Sequence, residues 1–305
     1  MSRLQLGAEP TTARASKRAR RREENSHEPG LFGVRTWTKT RLALACVFAV
    51  VAVFPLLYMV SLSFQPTDDI FTTHPTLIPS HPTTLNYVQA WTENDFSRFF
   101  FNSMGVALLT VVLTVVLASL AAFAFARYRF PCKELIFYLF LAALAVPSVD
   151  LIIPQYILMA RLHLTNSLPG LSLIYTSENL PFSIFLLRGF FEAIPKELEE
   201  SFRLEGARTL RVLTRLIAPL SAPALAVVAV FTFNFAWEEF VVASTLIDKS
   251  TRLTLPIGLN SFIGEHTTSW GPLFAGSMFA TVPSILVYVV SQRWFRRGVS
   301  VGGIR

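Results

Sequence analysis

Six apolar stretches take up most of this chain: residues 42–64, 99–125, 135–159, 168–191, 220–247 and 273–294. Each comes near the ~20 residues that a helix needs to cross ~30 Å of hydrocarbon. Lipid offers no water to an unpaired amide, so a stretch of this kind satisfies its backbone as a helix. The expected fold is therefore all-α and polytopic, with six transmembrane helices. Composition excludes the alternative of a soluble domain. Charged residues make up 15% of the chain and hydrophobic ones 52%, whereas charged residues alone reach about 25% in soluble proteins.

The basic residues set the expected topology, because Lys and Arg collect on the cytoplasmic side of membrane proteins. Residues 1–40 hold Arg14, Lys17, Arg18, Arg20, Arg21 and Arg22 with few large apolar side chains, a composition that cannot fold alone. This segment is expected to be a disordered cytoplasmic arm rather than a nucleic-acid-binding tail. With the arm inside, 23 of the 27 Lys and Arg fall on the cytoplasmic face, and Arg98, Arg161, Lys249 and Arg252 fall outside. Both termini are then cytoplasmic. A first span at 41–64, an external loop at 65–97, a core at 98–294 and a cytoplasmic tail at 295–305 complete a single membrane domain over 41–305. The external loop contains Pro66, Pro75, Pro79 and Pro82 and reads as turns.

Residues 192–219 form the most informative segment. Pro195 suits a helix's first turn, residues 196–204 favour helix, and Gly206 stands where a left-handed residue would stop it. A second amphipathic helix follows, with Leu210, Leu213 and Ile217 at helical spacing and Arg208, Arg211 and Arg215 between them, until Pro219. Composition alone describes an interfacial linker between two spans.

The residue order says more. Glu200-Ser201-Phe202, then Glu205-Gly206-Ala207, then Ile217 and Pro219 resemble the cytoplasmic EAA loop of bacterial ABC importer permeases. Ser201 and Phe202 stand for the two alanines and Glu205 for the usual Asp. Outside the loop, Asn179-Leu180-Pro181, Phe235-Ala236-Trp237-Glu238-Glu239-Phe240, Leu255-Pro256 and the tail from Gln292 to Gly303 resemble the maltose-transporter-type carbohydrate branch. The resemblance implies a multi-pass protein of the bacterial plasma membrane with the type-1 importer permease fold. It implies that Glu200, Ser201, Phe202, Glu205, Gly206 and Ala207 form a coupling helix seated on an ATPase. It also implies four partners besides lipid: a homologous second permease, a cytoplasmic ATPase dimer, an external substrate-binding lipoprotein and a sugar-like substrate. The chain has no Gly-x-x-x-x-Gly-Lys-Ser/Thr loop. ATP and Mg are therefore expected on the partner, with no cofactor and no catalytic residue here.

Ionisable groups inside a membrane are functional candidates because their burial is costly. Asp150, Glu178, Glu238 and Glu239 are those groups, and Asn234, Trp237, Glu238 and Glu239 combine hydroxyl-reading polar groups with a flat aromatic face, as a sugar pathway needs. Two other readings stand beside the permease. One is a self-sufficient secondary carrier with Asp150 or Glu178 as proton relay, and the other is a membrane enzyme or anchor. No metal site is expected, since Cys46 and Cys132 are far apart and His27, His74, His81, His163 and His266 fall in the arm or in external loops.

The charge bias predicts a labelling pattern. Single cysteines introduced at residue 20, within 196–210 or at residue 300 will resist an impermeant thiol reagent applied to intact cells, and one near residue 80 will react. External labelling of the 196–210 region contradicts the orientation.

Overall fold

The structure is a computed structural model that describes residues 31–70, 78–92, 95–264 and 268–301. The basic arm lies mostly outside these residues. The chain divides into two units, residues 1–58 and 59–305. The described part of the first belongs to helix α1, Leu31–Ser63, whose span Lys39–Ser63 has a mean hydropathy of 2.6. Its second half carries Leu, Val, Phe and Ala on every side, the pattern of a helix with no polar face to keep in water.

In the second unit come α2 (Leu85–Thr92), α3 (Phe96–Arg127), α4 (Lys133–Ala143), α5 (Ile152–Arg161), α6 (Leu168–Glu192), α7 (Lys196–Leu204) and α8 (Thr209–Leu220). They are followed by α9 (Ala222–Glu238), α10 (Val241–Leu246), α11 (Leu255–Asn260) and α12 (Trp270–Val301). No strand occurs among the described residues, and the all-α expectation is met.

The spans are less regular than six equal helices. Among the described residues α1, α3 and α12 are each long and apolar enough to cross a membrane. The third expected span is a bent pair: α4 ends before Pro147, a 3-10 turn covers Ser148–Leu151, and α5 leaves at 99°. Pro147 has no N–H to continue α4 and drives its predecessor toward extended geometry, which makes 135–159 a broken element rather than one helix. The fifth expected span also changes. α8 meets α9 at 84°, and the helix stops at Glu239 and Phe240 before α10. α6 has 25 residues, enough length at ~1.5 Å each, but Ser177, Glu178, Asn179 and Arg188 dilute its apolar content.

α3 and α6 make the most extensive helix pair, and α9 packs on both. The reason lies on α3, whose buried face is a ladder of small residues: Ser103, Ala107, Thr110, Thr114, Ala118 and Ala122. Small side chains at spacings of three and four let helix backbones approach closely, which matters in lipid because burial of apolar surface no longer favours association. Thr110 donates to the Val106 carbonyl at 2.8 Å, and across the contact Ser172 reaches the same carbonyl at 3.4 Å. Leu108, Val112, Val116 and Leu120 occupy the opposite, exposed face of α3.

Two buried clusters result. One joins Phe96, Phe99, Leu171, Tyr175, Phe233, Trp237, Leu255 and Phe262, and the other joins Phe123, Phe125, Phe137, Leu187, Phe191, Val212 and Ile217. The first includes a close contact at Gly258. A Cβ there would meet the Phe99 ring at 2.2 Å, whereas one at Gly105 would meet nothing within 4 Å. Gly258→Ala is therefore expected to lower stability by about 1–3 kcal/mol through overpacking, and Gly105→Ala to leave it unchanged or raise it. Thermal unfolding of the two variants in detergent checks this.

Candidate functional site

The coupling segment is built around a helix end. α7 begins after Pro195 and ends at Leu204, with Glu205 as C-cap. Gly206 then takes φ 86°, and its N–H donates to the Arg203 carbonyl at 2.9 Å while Ala207 N–H donates to the Phe202 carbonyl at 3.2 Å. These two bonds are the pair of a Schellman ending, in which a left-handed residue turns the chain and occupies the last free carbonyls. Phe202 and Ala207, the residues such an ending brings together, both pack on the cluster of Phe191 and Val212.

The two faces of α7 differ. Phe202 is half-buried and Glu199 is buried, but Glu200, Ser201, Glu205 and Gly206 are exposed and Leu204 is 91% exposed. Leu204 is the most exposed of the large apolar side chains among the described residues. Leu210 is also exposed, contrary to the expected apolar stripe. A π-helical stretch over Leu213–Ile217 widens the turn, so Val212, Leu213 and Ile217 share the buried face and Leu210 leaves it.

Of the candidate pathway residues, Glu178 lines one cavity, Trp237 and Glu238 line a second, and Asn234 and Glu239 line neither of these two. The break in the third span opens one of about 390 Å³, lined by Ser148, Gln155, Ser177, Glu178 and Phe235 among others. Gln155 Nε2 donates to Glu178 Oε1 at 2.9 Å. The other oxygen of each side chain, Gln155 Oε1 and Glu178 Oε2, is buried with no hydrogen-bond partner among the described residues. Asp150 stands exposed in the preceding 3-10 turn.

The second cavity, about 340 Å³, brings Trp237 and Glu238 together with Leu255, Ser277 and Thr281. Trp237 is 2% exposed. Its Nε1 donates to the Ala280 carbonyl at 2.9 Å, its ring stacks on Phe233 at 5.6 Å, and Phe100 meets it edge-on at 5.4 Å. Much of this side chain serves packing. Asn234 Oδ1 is buried and unpartnered. Glu239 is committed locally: it accepts from Tyr175 Oη at 2.5 Å and from the N–H groups of Val242 and Ala243 at 2.7 and 3.0 Å. It caps α10 just where α9 breaks, an assignment that supplies acceptors to freed backbone donors inside the bundle.

Residues that sequence reasoning passed over include Gln155, Ser277 and Tyr175, and above all Glu199 and Arg127. These last two form a buried ion pair, and Arg127 Nη2 also donates to the Ile194 carbonyl at 2.9 Å. The neighbouring Glu200 carries the motif, and nothing in the spacing of residues 127 and 199 points to a contact.

Residues 114–301 match the family described as the binding-protein-dependent transport system inner membrane component. The chain belongs to this family. It is 32% identical over 265 residues to the diacetylchitobiose uptake system permease protein NgcG of Streptomyces coelicolor, covering 86% of this chain and 87% of that one. It is 33% identical over 256 residues to the trehalose transport system permease protein SugB of Mycobacterium tuberculosis, covering 83% and 93%. Among solved structures, a bacterial ABC transporter that imports the acidic polysaccharide alginate shares the fold, with a TM-score of 0.76 at 21% identity over 86% of this chain and 97% of that one. The protein is thus a multi-pass inner membrane permease subunit of an ABC importer, and the self-sufficient carrier with a proton relay at Asp150 or Glu178 is set aside.

The packing of Trp237 makes its own test. Trp237→Ala is expected to destabilise the detergent-solubilised protein by about 3–5 kcal/mol. Trp237→Phe, which keeps a ring and loses the bond to Ala280, should cost about 1 kcal/mol. Thermal unfolding of both variants measures the difference.

Proposed function

We propose that this chain forms half of the transmembrane pathway for a sugar or sugar-like solute, delivered by an external binding protein and driven by a separate ATPase dimer. A homologous second permease supplies the other half. ATP and Mg bind the ATPase, the chain holds no cofactor of its own, and nucleic acid is not a partner. The six spans and cytoplasmic termini expected from the basic residues belong to the same reading. Support for the substrate class comes from relatives named for diacetylchitobiose and trehalose and from the polar side chains of Ser148, Gln155, Ser177 and Glu178 that line one cavity.

In this reading α7 is the coupling helix. The single observation behind it is the outward face of Glu200, Ser201 and Leu204 ending on the Gly206 turn. A short helix that offers a compact exposed face can seat in a partner's groove. Phe202 stands inward on the same helix, so its bulk relative to alanine is taken up by this chain's own core rather than by the ATPase.

The test is substitution at the turn and on the face. A Cβ at Gly206 would meet nothing within 4 Å, so a change there acts through the positive φ, at about 1–2 kcal/mol. Gly206→Val is expected to leave the protein in the membrane while reducing ATPase recovery on affinity purification. Gly206→Asn, which tolerates the left-handed region, should retain more. Glu200→Lys should reduce recovery by reversing charge on the exposed face. Normal recovery and uptake in both Gly206→Val and Glu200→Lys contradicts the assignment.

A further inference from the structure

We propose that Arg127 is a positioning residue that clamps the coupling helix to the end of α3, so that the two move as one lever. The proposal rests on the reading of α7 as the coupling helix and adds the route by which its movement enters the bundle.

Arg127 is the last residue of α3. Its guanidinium makes two contacts in two directions: Nε to Glu199 Oε1 inside α7, and Nη2 to the Ile194 carbonyl just before that helix. Both side chains of the ion pair are 7% exposed. The next residue, Tyr128, places its Oη 3.3 Å from Thr209 Oγ1, just beyond the Gly206 turn. Two adjacent residues at one helix end therefore hold the coupling segment before, within and after α7. Ile194, Phe202 and Ala207 pack on the same cluster as Phe123 and Phe125 of α3, which supports the clamp with apolar contact.

A planar guanidinium fixes direction as well as distance, which an ammonium cannot do. A buried pair of this kind is weak evidence for stability, because well-packed apolar residues often replace one without loss. Its value lies in geometry, since it forbids α7 from sliding or rotating against α3.

What α3 does with the movement follows from its far end. The helix has 32 residues and a length of about 48 Å. Near its start Asn102 Nδ2 donates to the Leu253 carbonyl at 2.9 Å and to the Thr251 carbonyl at 3.2 Å, and Ser103 Oγ accepts from Leu255 N–H at 2.7 Å. Leu255 lines the cavity that holds Trp237 and Glu238. A displacement of α7 thus reaches the wall of a membrane cavity through one continuous helix whose two ends are hydrogen-bonded to what they move.

The experiment uses the assembled importer: this chain with its second permease, the ATPase dimer and the binding protein carrying the solute with which it purifies. Three variants are compared with wild type: Glu199→Gln, Arg127→Gln and the double Arg127→Met with Glu199→Met. Membrane level, ATPase recovery and the stimulation of ATP hydrolysis by the loaded binding protein are measured. Spin labels at residues 203 and 120, in a background with Cys46 and Cys132 replaced by Ser, report the distance between α7 and α3 with and without trapped nucleotide.

The clamp predicts one narrow distance in wild type that nucleotide does not change. It predicts that the double variant recovers normal membrane level and ATPase recovery, yet broadens the distance and loses about two- to thirtyfold of the stimulation. The single variants lose stimulation at least as severely. A double variant with wild-type distance and stimulation shows the pair to be replaceable packing and overturns the proposal, as do single variants with unchanged stimulation. If the ATPase fails to purify with wild type, the coupling reading itself has failed.

Discussion

Close approach of α3 to α6 is the contact on which the rest of the second unit depends. In lipid an apolar side chain gains little by leaving one hydrocarbon surface for another, so helix association rests on tight packing and on hydrogen bonds that lipid cannot supply. The ladder from Ser103 to Ala122 provides that packing, with hydrogen bonds from Thr110 to its own helix and from Ser172 of α6 to the same Val106 carbonyl. With these helices fixed, α9 and the two aromatic clusters have a surface to build on.

Irregular backbone at membrane depth is tolerated where protein or a water-filled cavity meets its free groups. Glu239 does this for α10 with two hydrogen bonds, and the Tyr175 hydroxyl holds the carboxylate in place with a third. The break after Ala143 does it differently, by opening onto a cavity that also holds Gln155 and Glu178. An acidic side chain inside the bundle therefore has two separate uses in this protein, one closing a backbone gap and one left with an acceptor free.

Much of this was legible in the sequence. The α7 helix, its end at Gly206 and the exposed Glu200 follow from capping chemistry and motif order, because both are local. The location of every broad apolar stretch was equally plain, since it needs only hydropathy. The bends were not, because Pro147 and Pro219 mark where a helix can break but the 99° and 84° angles are set by what packs against the halves. Long-range pairing was the least legible. Trp237 and Glu239 looked like pathway residues by type, yet the Ala280 carbonyl and the α10 amides engage them, and the pairing of Arg127 with Glu199 carries no sequence signal at a separation of 72 residues.

The central claim is that the exposed face of α7 meets an ATPase. A photo-crosslinking amino acid placed at Leu204, whose side chain is 91% exposed, tests it most directly in intact cells expressing the whole importer. The account predicts a crosslinked product that contains this chain and the ATPase subunit. A probe at Leu204 that forms adducts only with lipid, or with no ATPase while the complex is present and active, would contradict it.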